Sequence, residues 1–209
     1  MQTPWLDIPL ADYEGHMALP TVGQSQLIAD QLATLVTTYS PRSVAILGCA
    51  GGNGFDRLVG TGVTRVVGVD INPQYIEQAR LRYEGRIPGL ELHIADIQTS
   101  GALFEPVDLI YAALVLEYVD LPLTLAAIQR SCSRNGVLAV LSQLPHDAIA
   151  HVSPSPYTTL QSLASKIQLV SPEELQIQAG QFGFAPAHAR TLASTGGKHF
   201  RLDEFRQRD

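Results

Sequence analysis

The chain has 209 residues, 45% hydrophobic and 16% charged, with a formal net charge of −6 at pH 7. That balance suits a folded chain with a substantial core and excludes a disordered polymer. It argues against general nucleic-acid affinity, which needs clustered Lys and Arg to neutralise phosphate.

In chain order, residues 23–39 place Leu27, Ile28, Leu32, Leu35 and Val36 at helical spacing. "SVAILG" (43–48) reads as a buried strand, and "NGFDRLVG" (53–60) as the start of the next helix. "RVVGVD" (65–70) is a second strand. The helix that follows has Asn72 as cap and Pro73 in its first turn. The alternation continues with strand "LELHIAD" (90–96), strand "VDLIYAAL" (107–114), helix 121–133, an Asn135-Gly136 turn and strand "VLAVLSQL" (137–144).

Strands buried on both faces and separated by helices imply an α/β fold with a doubly wound, mostly parallel sheet. After residue 144 the pattern changes. Residues 145–170 carry Pro154 and Pro156 beside a helix-like stretch and read as an insertion. "SPEELQIQAGQFGF" restores a helix, with Ser171 as cap and Glu174 at the capping-box position. A Gly196-Gly197 turn between "APAHARTLAST" and "KHFRLDEF" closes the chain as an antiparallel hairpin, giving seven strands in one domain over 1–209. The tail "KHFRLDEFRQR" reads as a solvated face.

No apolar run reaches the roughly 20 residues of a membrane helix. The N-terminus lacks the basic start and apolar core of a signal peptide, so a cytoplasmic location is the default expectation. Cys49 and Cys132 show no C-x-x-C spacing and read as buried thiols. His93, His146, His151, His188 and His199 are dispersed, and no metal-ligand spacing emerges.

The chemistry concentrates at "VAILGCAGGNGFD" (44–56). In a parallel sheet, ligands sit beyond the carboxyl ends of the strands, where Gly48, Gly51, Gly52 and Gly54 fall. Missing side chains permit a tight turn and close approach. Asp70 ends the second strand, where a carboxylate can accept both hydroxyls of an adenosine ribose; it can equally cap the following helix. Asp96 could accept from an adenine amino group while Ile97 packs on the ring. A dinucleotide turn wants G-x-G-x-x-G, but from Gly48 the third and sixth positions are Ala50 and Asn53. No G-K-S/T follows to make a phosphate loop.

"ILGCAGGNG", "VVGVDINPQYIEQAR", "LHIADI" and "VDLIYAALVLEYVD" resemble, in order and spacing, the successive motifs of class I S-adenosylmethionine-dependent methyltransferases. The resemblance covers residues 40–145 and extends to the "DYEGHM" stretch of small bacterial members. It implies S-adenosyl-L-methionine as cofactor. By position, Gly48, Ala50 and Gly52 would line its methionine part, Asp70 and Ile71 the ribose, and Asp96 with Ile97 the adenine. Ala112, Ala113 and Leu114 would pass the sulfonium. There are two departures: Ile46 replaces a common acid, and Ala50 replaces a glycine whose methyl is tolerable only at negative φ.

Methyl transfer demands mainly alignment, with a base only where the nucleophile must lose a proton. Catalytic candidates are His16 and Glu117. Tyr13, Glu14, Tyr118 and Tyr157 are candidates for substrate contact, with residues 1–40 and 145–170 as lid segments. The acidic charge and the lack of an N-P-P-Y or D-P-P-Y tetrapeptide favour a small-molecule acceptor over nucleic acid. Aminopropyl transfer and a non-catalytic binding module remain alternatives.

Overall fold

The computed structural model describes residues 3–99, 101–145 and 150–208. Seven strands form one sheet: β1 (Ser43–Leu47), β2 (Arg65–Asp70), β3 (Leu90–Ile94), β4 (Val107–Ala113), β5 (Cys132–Gln143), β6 (Phe184–Ala193) and β7 (His199–Gln207). Their order is β3-β2-β1-β4-β5-β7-β6. The first five run parallel, and the β6–β7 hairpin is antiparallel and pairs with β5 through β7. β1 lies between β2 and β4, so the chain's direction of travel across the sheet reverses there, which opens a crevice at the strand ends.

Alternation along the strands fills two cores. Val44 and Ile46 of β1 join Leu109 and Tyr111 of β4 in one core, with Ile28 and Leu32 of α2 (Gln24–Tyr39) and Ile76 of α3 (Pro73–Tyr83). Ala45 and Leu47 point the other way, into a core with Leu125 of α4 (Leu121–Ser131) and Leu175 of α5 (Pro172–Gln181). The helix starts follow their capping chemistry. Asn72, Asp120 and Ser171 accept from the amides of Gln74, Leu123 and Glu174, each with a proline at the first or second helical position.

Three expectations need correction. No helix follows β1: Phe55–Arg57 makes only a short 3-10 turn, because Gly54 and Gly60 both take left-handed φ and the next strand begins at Arg65. Asn135-Gly136 does not separate α4 from β5. The strand runs through it from Cys132, with Asn135 at φ 60° and a register irregularity against Val107 and Leu109 of β4. The "KHFRLDEFRQR" segment is not a solvated face, since Lys198, Phe200, Leu202 and Phe205 are buried.

An N-terminal helix α1 (Leu10–Ala18) lies ahead of α2 and packs against a 3-10 turn at Thr158–Leu163. A small apolar cluster of Ile8, Leu160 and Leu163 joins the two segments. Cys49 and Cys132 are free and buried. No helix among the described residues is long and apolar enough to cross a membrane.

Candidate functional site

At the carboxyl ends of β1 to β4 lies a cavity of about 390 Å³. Gly48, Ala50, Asp70, Ile71, Asp96 and Ile97 form one side of it, and Ala113 and Leu114 the end of β4. Trp5 and Tyr13 of the N-terminal segment line it from the other.

Asp70 organises the floor. It is buried, and its two carboxylate oxygens accept from Ala50 N and Asn72 N, both at 2.9 Å. Burial pushes its carboxyl above the usual range, while the amide donors pull it down. Asn72 in turn donates from Nδ2 to the Trp5 carbonyl at 2.9 Å, and Tyr75 donates its hydroxyl to the Ile8 carbonyl at 2.9 Å. The N-terminal segment is thereby tied to the same turn that holds Asp70. Asp96 is exposed and accepts from Gln98 N at 2.9 Å, and Gln98 accepts from Asp120 N at 2.7 Å. Gln98 lines the cavity and links the loop after β3 to the start of α4, a role its sequence context did not signal.

The glycines divide by purpose. Gly48 has φ +67° and lines the cavity. Gly52 does not: a Cβ there would lie 2.4 Å from the Tyr83 ring, so its missing side chain makes room for the protein itself. Gly51 likewise abuts Glu14 and Arg82. Ala50 has φ +48°, the positive value at which its methyl is strained. Leu114, at the end of β4, also takes a left-handed φ of 54°.

A second chamber of about 60 Å³ adjoins the first, sharing Trp5, Tyr13, Leu114 and Tyr118 as walls. His16, Glu117, Gln143 and Lys198 supply its polar lining. Glu117 is 2% exposed, its Oε1 accepts from Gln143 N at 2.8 Å, and its Oε2 finds no partner among the described residues. Burial pushes its carboxyl up to about 7. Lys198 is 3% exposed and donates to Gln143 Oε1 at 3.2 Å and to the His151 carbonyl. Burial pulls its ammonium down to about 8. His16 is buried, its Nδ1 has no partner among the described residues, and desolvation followed by the nearby Lys198 charge lowers its pKa.

The two catalytic candidates therefore face one chamber, with Tyr13 and Tyr118 in its wall. Other candidates lie elsewhere. Glu14 is in an ion pair with Arg82 and lines neither cavity. Tyr157 packs its hydroxyl end against Gly15 and belongs to the cluster around Ile8. Ala112 is fully buried in the sheet's second core, and Ala113 takes its place on the cavity wall. Lys198 was missed because a lysine after Gly-Gly in a hairpin turn carries no burial signal in the sequence. His146 lies outside the described residues. No group of three or more His, Cys, Asp or Glu converges as a metal site among the described residues.

Residues 46–140 match the family described as a methyltransferase domain, somewhat under half of the chain. Over that segment the chain is similar to methyltransferase domains, and the solved structures it resembles include S-adenosylmethionine-dependent methyltransferases. Among curated proteins no sequence match is found. Solved structures share the domain's fold. The N-methyltransferase NodS from Bradyrhizobium japonicum WM9, in complex with S-adenosyl-L-homocysteine, aligns at TM-score 0.66 and 18% identity over 89% of this chain and 88% of that one. Magnesium protoporphyrin IX methyltransferase from Synechocystis PCC 6803, with the same product bound, gives 0.65 and 16% over 88% and 84%. The [4+2]-cyclase SpnF gives 0.67 and 11% over 88% and 82%.

The matched segment runs from the end of β1 into β5 and supplies most of the larger cavity. His16, Gln143 and Lys198 of the inner chamber fall outside it. The common scaffold and the particular chamber are thus separate along the chain.

Proposed function

We propose that this chain transfers a methyl group from S-adenosylmethionine to a small-molecule acceptor. The observation that carries the reading is the junction of the two cavities. A strand-end cleft of ligand size shares Leu114 and Tyr118 as walls with a chamber lined by titratable groups.

The residues suit the cofactor. Asp70 lines the cavity with its carboxylate oriented by backbone amides and stands at the end of β2, where the ribose hydroxyls would be held. Gly48 and Ala50 would pass the methionine part, Ile71 would flank the ribose, and Asp96 with Ile97 would take the adenine. Ile46 is in the sheet's core rather than on the cavity wall, so the cofactor's ammonium must rely on backbone carbonyls.

When bound, S-adenosylmethionine supplies an electrophilic methyl on sulfur, which departs with the bonding pair as a neutral thioether. Everything else falls to the chain. Trp5 and Tyr13, on a segment tied to Asn72 and Tyr75, cover the cleft and exclude water. Residues 151–167 close the chamber from the other side, through Val152, Leu160 and Leu163. Leu114 and Tyr118 set the passage along which the nucleophile must align. His16 is held uncharged by burial and by Lys198, so it can take a proton from an N–H or O–H nucleophile. Glu117 holds the acceptor.

Calorimetric titration with S-adenosylmethionine, S-adenosylhomocysteine and NAD tests the reading. Micromolar binding of the first two without NAD is expected, with Asp70→Ala weakening it at least tenfold, about 1.4 kcal/mol. Absence of binding to either sulfur compound would overturn it.

A further inference from the structure

The inner chamber holds a buried cation that has no counterion among the described residues. Lys198 is 3% exposed, and its ammonium makes no ion pair among the described residues. Among the described residues it donates to two neutral acceptors, Gln143 Oε1 and the His151 carbonyl, so one of its three N–H donors is left for the chamber. A buried charge left unpaired is expensive, and a fold that keeps one generally pairs it with a ligand or a metal-bound group.

The lysine is held in place by packing. It ends the β6–β7 turn, where its carbonyl accepts from Ser194 N at 2.9 Å. Thr195 of the same turn donates to the Pro20 carbonyl at 2.8 Å. A Cβ at Gly196 would lie 2.1 Å from the Thr21 carbonyl oxygen, so the turn seats directly on the segment between α1 and α2. Gln143 then joins Lys198 to Glu117, accepting from the lysine with its side chain and donating its backbone N–H to Glu117 Oε1.

We infer that the inner chamber is a carboxylate subsite, in which Lys198 holds the acid group of a small organic acid whose remaining atoms reach past Leu114 and Tyr118 toward the larger cavity. The inference rests on the methyl-transfer reading and names the class of its acceptor. A carboxylate matches the polar lining better than an ammonium does. An ammonium would meet Lys198 with like charge, whereas a carboxylate accepts from Lys198 and from the unpartnered Oε2 of Glu117 when that oxygen carries a proton. Glu117, pushed up to about 7, holds its proton through the lower half of the physiological range. His16 stays uncharged and free to serve the nucleophile.

The size is also consistent. A chamber of about 60 Å³ has room for roughly four water-sized groups, enough for a carboxylate and a short stem. The body of a larger acid must extend through the shared wall into the cavity where the methyl would be presented. Trp5, Leu160 and Leu163 make the surroundings apolar, which strengthens a single charge pair placed there.

Ligand-observed NMR on the full chain, with and without saturating S-adenosylhomocysteine, would compare propionate and benzoate with propionamide and benzamide, using inorganic phosphate as an anion control. Each acid is expected to bind at least tenfold more tightly than its amide. Lys198→Met, which keeps the length and removes the charge, is expected to abolish that preference while S-adenosylhomocysteine binds as before. Equal binding of acid and amide would overturn the subsite, as would a preference that survives in K198M, or binding of phosphate without the acids. The acid-over-amide comparison uses the unmodified chain, so it decides even if K198M fails to fold. Failure of S-adenosylhomocysteine to bind overturns the methyl-transfer reading instead, and the arms measured without it still decide the subsite.

Discussion

Ala50 stands at φ +48° between Cys49 and Gly51, where an L side chain is strained by about 1–2 kcal/mol. Its amide nonetheless donates to Asp70, so the turn is held against that strain by a buried carboxylate. Ala50→Gly removes the clash while adding backbone freedom to the unfolded chain. A net gain of roughly 0.5–1 kcal/mol is expected, a rise in Tm of about 2–3 °C by calorimetry. Glu117 offers a second residue-level test. Its carboxyl is pushed from 4.5 up to about 7, so the unfolded chain releases its proton first. The stability it contributes is complete below pH 4.5 and is lost as pH rises through about 7. Glu117→Gln keeps the acceptor for Gln143 N and removes the titration. The variant should therefore match the parent near pH 4.5 and exceed it by about 3 kcal/mol above pH 7 in denaturant melts. Parallel pH profiles for the two proteins would show that the carboxyl does not titrate in this window.

The N-terminal segment is the element most exposed to test. Two hydrogen bonds, Asn72 to the Trp5 carbonyl and Tyr75 to the Ile8 carbonyl, fix it over the cleft, and Trp5 is the chain's single tryptophan. Tyr75→Phe removes one of them, worth about 1 kcal/mol. S-adenosylhomocysteine should change Trp5 emission in the parent and bind about fivefold more weakly to Y75F; unchanged affinity would detach the segment from cofactor binding. How far such elements can be read from sequence depends on where their signal resides. Strands β1 to β4 and the caps Asn72 and Ser171 rest on local pattern, and the structure matches them closely. The helix expected after β1 fails because Gly54 and Gly60 break it, a backbone preference that apolar periodicity does not register. Asp70 is legible because its position at a strand end has a chemical meaning. Gly52 is misread for the opposite reason: what it accommodates is Tyr83, a residue of another element. Lys198 and Gln143 come together only through the hairpin's pairing with β5, which no short window contains.

At the scale of the molecule, the terminal hairpin is structural to both faces of the sheet. β7 pairs with β5 from Phe200 opposite Gln143 to Arg206 opposite Val137. Phe200 and Leu202 enter the core that holds α2, whereas Phe205 enters the core that holds α4 and α5. The alternation that sends neighbouring side chains to opposite faces thus makes one strand a member of both cores. Its turn also positions Lys198 in the inner chamber and rests on the segment between α1 and α2, so fold and site share the same closing element. Ending the chain before Phe184 would leave β5 with an unpaired edge and both cores open, and burial of Phe184, Phe200, Leu202 and Phe205 would be lost at about 1.5–3 kcal/mol each. That sum is comparable with the whole stability of an ordinary domain. The truncated chain is expected to lose its cooperative calorimetric transition and to bind the dye ANS. A truncated chain that melts cooperatively near the parent's Tm would show instead that β1 to β5 with their helices fold without the hairpin, leaving it the acceptor chamber alone.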